Sequence, residues 1–170
     1  MELAPILTKK GVSLKLKGTL YKSCVQSVMV YGSETWAMKV EDMQRLIRAE
    51  RMMGRWMCGV TLKNRSVSSE LLEKLGVECV SEVVSRGRLR WFGHVERKED
   101  GDWVKECQYL EVEGKRGRGR GRKTWLECVN ASMKDMELKA SDAQDRALWK
   151  RRLLGNRPTR ACMEKRTLNR

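Results

Sequence analysis

Histidine occurs once in 170 residues, as His94, and the six cysteines (Cys24, Cys58, Cys79, Cys107, Cys128 and Cys162) stand 21 to 34 positions apart with no C-x-x-C pair. Zinc needs four Cys or His ligands, usually in close pairs, so neither a zinc site nor any other metal site is expected. Small disulfide scaffolds space their cysteines more densely, and the wide spacing points instead to reduced, mostly buried thiols. A Tyr-x-Asp-Asp motif is absent, as is any other tight aspartate pair on a strand-like run, so the carboxylates that hold catalytic divalent metals are not supplied. A Gly-Lys-Ser/Thr phosphate loop is missing too. No nucleophile signature surrounds the cysteines or His94. The acidic cluster Glu99-Asp100-Gly101-Asp102 lacks the alternating ligands and terminal glutamate of a calcium loop, and reads as a solvated turn capping the next segment. The chain is therefore expected not to be an enzyme, with no catalytic residue and no cofactor.

No apolar run approaches the roughly 20 residues that span a bilayer. The N-terminus lacks a basic segment followed by an apolar one, so a secretory signal is not expected. The expected location is intracellular, nuclear or cytoplasmic, without a membrane partner. A long set of alternating strands is missing as well, and the body reads as mainly α.

What the chain does have is positive charge. It carries 36 Lys and Arg against 22 Asp and Glu, a net +14. Residues 1–110 hold 19 basic against 14 acidic residues, and residues 111–170 hold 17 against 8, so the C-terminal third is the more polycationic part. Such a field attracts polyanions, nucleic acid ahead of an anionic membrane.

The densest local feature is Arg86-Gly87-Arg88-Leu89-Arg90-Trp91-Phe92-Gly93-His94-Val95. At helical spacing Val84, Trp91 and Val95 share one face, while Arg86 and Arg90 point elsewhere. One element would then dock its tryptophan in a core and offer a stripe of Arg86, Arg88 and Arg90 to solvent. That arrangement suits either a polyanion-holding helix or an ordinary basic surface helix, and composition does not choose between them.

Taken in order, residues 1–11 read as a ragged start. From Val12 to Val30 the apolar positions recur at helical spacing, with a short strand near residues 14–17 as the alternative. Gly32 reads as a left-handed stop. A helix over Val40–Met57 buries Met43, Leu46, Ile47, Met53 and Met57 and carries Arg45, Arg48, Arg51 and Arg55 elsewhere. Ser66 or Ser68 caps a short helix burying Leu71, Leu72 and Leu75, with Gly76 as its stop. Ser81 caps the helix that holds Trp91 and runs to about Lys98, and residues 102–111 are ambiguous.

The sharpest change of composition follows. Of the ten residues Gly114–Lys123, six are cationic and four are glycine. Glycine removes helix propensity and like charges repel, so this is a flexible loop. Lys115, Arg116, Arg118, Arg120, Arg122 and Lys123 are the best candidates for phosphate contact, because guanidinium groups bind phosphate bidentately and stack on bases. The plainer readings are a solvated linker or a localisation signal. Trp125, Leu126, Val129, Met133 and Met136 then line a helix. Ser141 with Gln144 reads as a capping box for a second, whose buried side includes Ala143, Ala147 and Leu154. The expected fold is five or six helices, a larger N-terminal lobe and a small C-terminal helical lobe joined by the Gly/Arg-rich loop. Most of the six tryptophans read as core anchors. Trp91, beside Arg88 and Arg90, is the one candidate for base stacking, although core is its first assignment.

Several of these landmarks recur in a known order. They are Leu20-Tyr21 through Tyr31-Gly32-Ser33-Glu34-Thr35-Trp36, Arg51-Met52-Met53-Gly54-Arg55-Trp56-Met57-Cys58-Gly59-Val60, Arg88-Leu89-Arg90-Trp91-Phe92-Gly93-His94-Val95, Gly119-Arg120-Gly121-Arg122-Lys123-Thr124-Trp125, and Ala143-Gln144-Asp145-Arg146-Ala147 with Trp149. Together they resemble the C-terminal, thumb and post-thumb region of reverse transcriptases of non-LTR (LINE-type) retrotransposons, from about residue 12 onward. The resemblance implies a thumb-like helical region over 12–111, a Gly/Arg-rich flexible loop over 112–123, a C-terminal helical pair over 124–156 and a basic tail over 157–170. It implies an RNA or RNA–DNA duplex as the partner, with the polymerase palm as a second one. Gly121 stands where the family often has proline, which implies a looser path for the loop. Fingers, the metal-binding palm and an endonuclease domain have no counterpart in this sequence. The expectation is a noncatalytic nucleic-acid-binding fragment of an RNA-directed DNA polymerase. An orphaned protein-interaction module or a functionless transposon remnant is the alternative.

Overall fold

A computed structural model describes residues 3–64, 66–110, 121 and 123–155. Among them every regular element is helical: α1 (Ala4–Thr8), α2 (Leu14–Leu20), α3 (Ser27–Met29), α4 (Val40–Cys58), α5 (Ser68–Leu75), α6 (Val80–Glu96), α7 (Trp103–Tyr109), α8 (Trp125–Asp135) and α9 (Arg146–Gly155). The mainly α class is as expected, while the number of helical segments exceeds five or six. The extra ones are short: α1 lies in the stretch expected to be ragged, and α7 in the stretch left ambiguous.

The strand alternative at residues 14–17 gives way to helix. Ser13 accepts the Leu16 N–H at 3.3 Å and starts α2. A π-helical stretch, Tyr21–Gln26, joins α2 to α3. The hydroxyls of Thr19, Ser23 and Ser27 each donate to the carbonyl four residues back, at 3.0, 2.9 and 2.6 Å. Such back-bonding competes with the helical ladder and accompanies local unwinding. The expected glycine stops hold at Gly32 and Gly76, with φ of +68° and +64°, and Gly59 follows α4 in the same conformation at +65°.

Two compact units emerge. The first comprises described residues within 3–31 and 40–83. Its core joins Tyr21, Met57, Leu72, Leu75, Val77 and Cys79. Gly18 lets α2 and α5 approach, since a Cβ there would lie 1.8 Å from the Leu75 carbonyl oxygen. Two buried charges sit at helix ends in this unit. Lys17, 5% exposed, donates to the Met57 carbonyl in the last turn of α4 at 2.9 Å. Glu50, 1% exposed, accepts the Val80 N–H at 3.1 and 3.0 Å and so caps the start of α6. A cation at a carboxyl end and an anion at an amino end both complement the helix dipole. Gln26 bridges Glu50 and the Glu78 carbonyl at 3.1 and 2.8 Å. Burial, and secondarily the Glu50 charge, pushes the Tyr21 hydroxyl well above the usual tyrosine range.

The second unit comprises described residues within 32–39 and 84–155. Its core is Leu89, Phe92, Val129, Met133, Met136, Leu138, Ala143, Trp149 and Leu153, with Trp125 packed against it. The Phe92 ring lies 6.4 Å from Trp125 and 6.2 Å from Trp149, tilted against both. The Trp149 indole donates to the Leu89 carbonyl at 3.0 Å. Gly93 makes room for it, since a Cβ there would lie 2.4 Å from the indole nitrogen. Trp125 donates to the Glu34 carbonyl at 2.7 Å, which ties residues 32–39 to α8.

The boundary between the units falls between Val83 and Val84, inside α6. The reason is the partner of the Leu89–Phe92 arc: it packs on α8 and α9, so the Trp91 segment belongs with the C-terminal helices. Of the loop itself only Gly121 and Lys123 lie within the described residues.

Several caps form away from the expected residues. Thr124 and Glu127 form the capping box of α8. Ser141 lies in a 3-10 turn, Ala140–Ala143, and α9 is capped by Asp145, whose carboxylate accepts the Ala147 and Leu148 N–H groups at 2.8 and 3.0 Å. With that start the buried side of α9 is Trp149 and Leu153, and Ala147 and Leu154 are exposed. The α6 cap likewise comes from Glu50 rather than Ser81. Ser66 and Ser68 also make no side-chain cap for α5, whose N-cap position is Val67.

Candidate nucleic-acid interface

The candidate residues fall in three environments. Lys115, Arg116, Arg118, Arg120 and Arg122 lie outside the described residues, while Lys123 is exposed one residue before the Thr124 cap. On α6, Arg90 is exposed and Arg86 is half-buried. Arg88 is inside, 5% exposed, and donates through Nη1 to the buried Ser132 hydroxyl on α8 at 3.2 Å.

Arg88 therefore does not belong to the expected solvent stripe. It is four residues from both Val84 and Phe92, which puts it in the middle of the α6 arc that faces the core. That signal was present in the spacing and was outweighed by the charge. Burial pulls its guanidinium below the usual arginine value. Its Nε has no hydrogen-bond partner among the described residues. The solvent side of α6 is instead Arg90 and His94, four apart, with the half-buried Arg86 one turn before them. His94 is exposed and its ring lies 5.4 Å from that of Trp91. Trp91 is half-buried, with His94 as its ring neighbour.

The other tryptophans depart from the core expectation. Trp149 is buried and Trp125 partly so, but Trp36, Trp56 and Trp103 are 45%, 58% and 73% exposed. The thiols also depart from it. The described cysteines are free, yet Cys24 and Cys107 are exposed and Cys58 is intermediate, leaving Cys79 and Cys128 buried. Cys162 lies outside the described residues.

The acidic turn behaves as expected of a cap. Asp102 accepts the Val104 N–H at 2.9 Å and the Lys98 ammonium at 2.7 Å, and Asp100 pairs with Lys105 at 2.6 Å. The Lys98 hydrogen bond holds the Asp102 carboxyl below the usual range. Among the described residues no three His, Cys, Asp or Glu side chains gather as a metal-holding group, and no helix is long and apolar enough to cross a membrane.

The chain is similar to a transposon-derived protein of Caenorhabditis elegans, 25% identical over 142 residues that make up 79% of this chain and 49% of the relative. The chain thus spans about half the length of that relative, and the similarity supports a transposon origin. No protein-family model matches the chain, and no solved structure does.

Proposed function

We propose that this chain is a noncatalytic nucleic-acid-binding segment derived from a non-LTR retrotransposon reverse transcriptase, and that it grips RNA or an RNA–DNA duplex through phosphate contacts. The observation that carries the proposal is the charge: net +14, with the excess concentrated in residues 111–170 and dense in Gly114–Lys123. The resemblance of the ordered motifs supports the same origin, and the transposon-derived relative supports its coarser part, a transposon origin. The phosphate contacts are assigned to Lys115, Arg116, Arg118, Arg120, Arg122 and Lys123, with Arg86 and Arg90 as a second group. Arg88 is withdrawn from that group because it lies in the core.

Each neutralised phosphate makes the affinity fall with salt, by a logarithmic slope of about 0.7 to 0.9 per contact. Binding to an RNA–DNA duplex across a salt series tests the proposal. Changing Arg116, Arg118, Arg120 and Arg122 together to glutamine should flatten the slope by about 3, whereas changing Lys63 and Lys74 should leave the loop's share in place. An unchanged slope in the arginine variant would remove the loop from the interface.

A second reading rests on apolar exposure. Trp103 and Leu110 are 73% and 66% exposed at the two ends of α7. An interaction module separated from its partner would show such faces, and it would give a concentration-dependent mass without salt-sensitive RNA binding.

A further inference from the structure

The outward face of α4 combines cations with apolar side chains in a way that the core of its unit does not use. Trp56 and Met52 are 58% and 49% exposed, one helical turn apart. Arg45 and Arg48 are exposed and Arg55 is half-buried. At about 100° per residue these five side chains fall within an arc of roughly 100° to 120° on the helix. The opposite side of α4 holds Glu50, Gly54 and Met57, which are buried, so the arc is the one left facing water.

From Arg45 to Trp56 the arc runs about 16 Å, a reach of some four to five stacked nucleotides. Acid lies only at its amino-terminal end, where Glu41 is exposed one turn before Arg45 and Asp42 sits beside it. The Arg45–Asp42 pair is 3.4 Å long with side chains 74% and 49% exposed, and pairs of that kind contribute little. Arg48 bonds its Nε to the Gln44 carbonyl at 3.2 Å, which steadies the side chain along the helix. Trp103 makes a useful contrast. It is more exposed still, but the helix around it offers Glu106 and Cys107 instead of arginines.

We infer that this face of α4 binds an unpaired nucleic-acid strand, with Arg45, Arg48 and Arg55 on its phosphates and one base stacked on Trp56. Charge complementarity selects the polyanion. The tryptophan selects the single strand, because an indole projecting from a helix stacks only on a base that has left its own stack. The inference goes beyond the duplex grip proposed above, and uses different residues.

The test titrates the full chain against labelled oligouridylate of about twelve nucleotides, and against an RNA–DNA duplex of equal length, across a salt series. Trp56→Ala should weaken single-strand binding about ten-fold or more with the salt slope kept, and should change duplex binding by less than about two-fold. Trp56→Phe should recover most of the loss, and Trp103→Ala should show none. Arg45→Gln with Arg48→Gln should flatten the single-strand slope by about 1.4. These side chains are exposed, so circular dichroism and melting temperature should match the parent in every variant. Single-strand affinity unmoved by Trp56→Ala overturns the inference, and so does an equal loss for strand and duplex. A concentration-dependent mass that Trp56→Ala abolishes, with strand binding intact, assigns the face to a protein and overturns it too. Duplex binding by the parent chain reports separately on the proposed function, so the two can fail independently.

Discussion

The two units solve the same problem with different chemistry. The unit built on α2, α4 and α5 closes a modest apolar cluster and then fixes its helix ends with buried charge: Lys17 on the end of α4 and Glu50 on the start of α6. The unit built on α6, α8 and α9 stacks Phe92 among Trp125 and Trp149 and uses indole N–H groups on carbonyls. In the first, buried hydrogen bonds from charged side chains tie helix ends to their neighbours. In the second, a larger apolar cluster fills the core, and indole hydrogen bonds orient its tryptophans. Buried charge is costly unless it is paired or hydrogen-bonded, so the first unit should be sensitive to lost partners and the second to lost volume.

The comparison can be pressed hardest at Trp149. Trp149→Ala empties the centre of the second core and should cost about 3 to 5 kcal/mol, read by urea unfolding. Gly18→Ala attacks the first unit through backbone, because the new Cβ would meet the Leu75 carbonyl and not a flexible side chain. A loss of about 3 kcal/mol is expected, and a loss under about 1 would mean that α2 can slide off α5 cheaply. Glu50→Ala leaves the Val80 N–H and the Gln26 amide without their shared acceptor. It should cost about 2 to 3 kcal/mol and raise amide exchange at the start of α6.

Acid should erode the second unit through its caps. Backbone hydrogen bonds from Leu148 and Ala147 hold the Asp145 carboxyl below the usual range, as Lys98 does for Asp102. A folded value below the unfolded one, near 3.9, stabilises above that value. The contribution disappears as pH falls through the folded value. Melting temperatures between about pH 6 and pH 2.5 should decline at the acid end, and Asp145→Asn, which keeps a capping oxygen without the titration, should flatten part of the decline. The smallest effect is expected at Arg88. Replacing that buried guanidinium by methionine should leave stability about level or slightly raised, and leave the salt slope of RNA binding unchanged. A flattened slope would return Arg88 to the interface.

Some of this was legible in the residues and some was not. The limits of α4 and α5 followed from apolar spacing and from glycines able to take positive φ, both local properties. Asp102 was readable as a cap because a cap needs only its own helix. Arg88 was not read correctly, since its charge argued for solvent while its spacing argued for the core, and Ser132, 44 residues on, decides between them. The expectation that most tryptophans are core anchors failed at Trp36, Trp56 and Trp103 for a similar reason: a tryptophan on a helix face is core only if something covers that face. The boundary between the compact units was not legible either, because it follows the packing of Leu89 and Phe92 on residues far along the chain.

By itself the sequence determined an all-helical chain among the described residues, most of its glycine stops and a polycationic C-terminal third. These depend on propensity, φ preference and charge, which each residue carries wherever it sits. Only the tertiary structure decided which charges are buried, which tryptophans face water and where one unit ends. Lys17 finds the Met57 carbonyl across 40 residues, Glu50 finds Val80 across 30, and Trp149 finds Leu89 across 60. A buried polar group is stable only with such a partner, and a partner that far along the chain leaves no trace in local pattern.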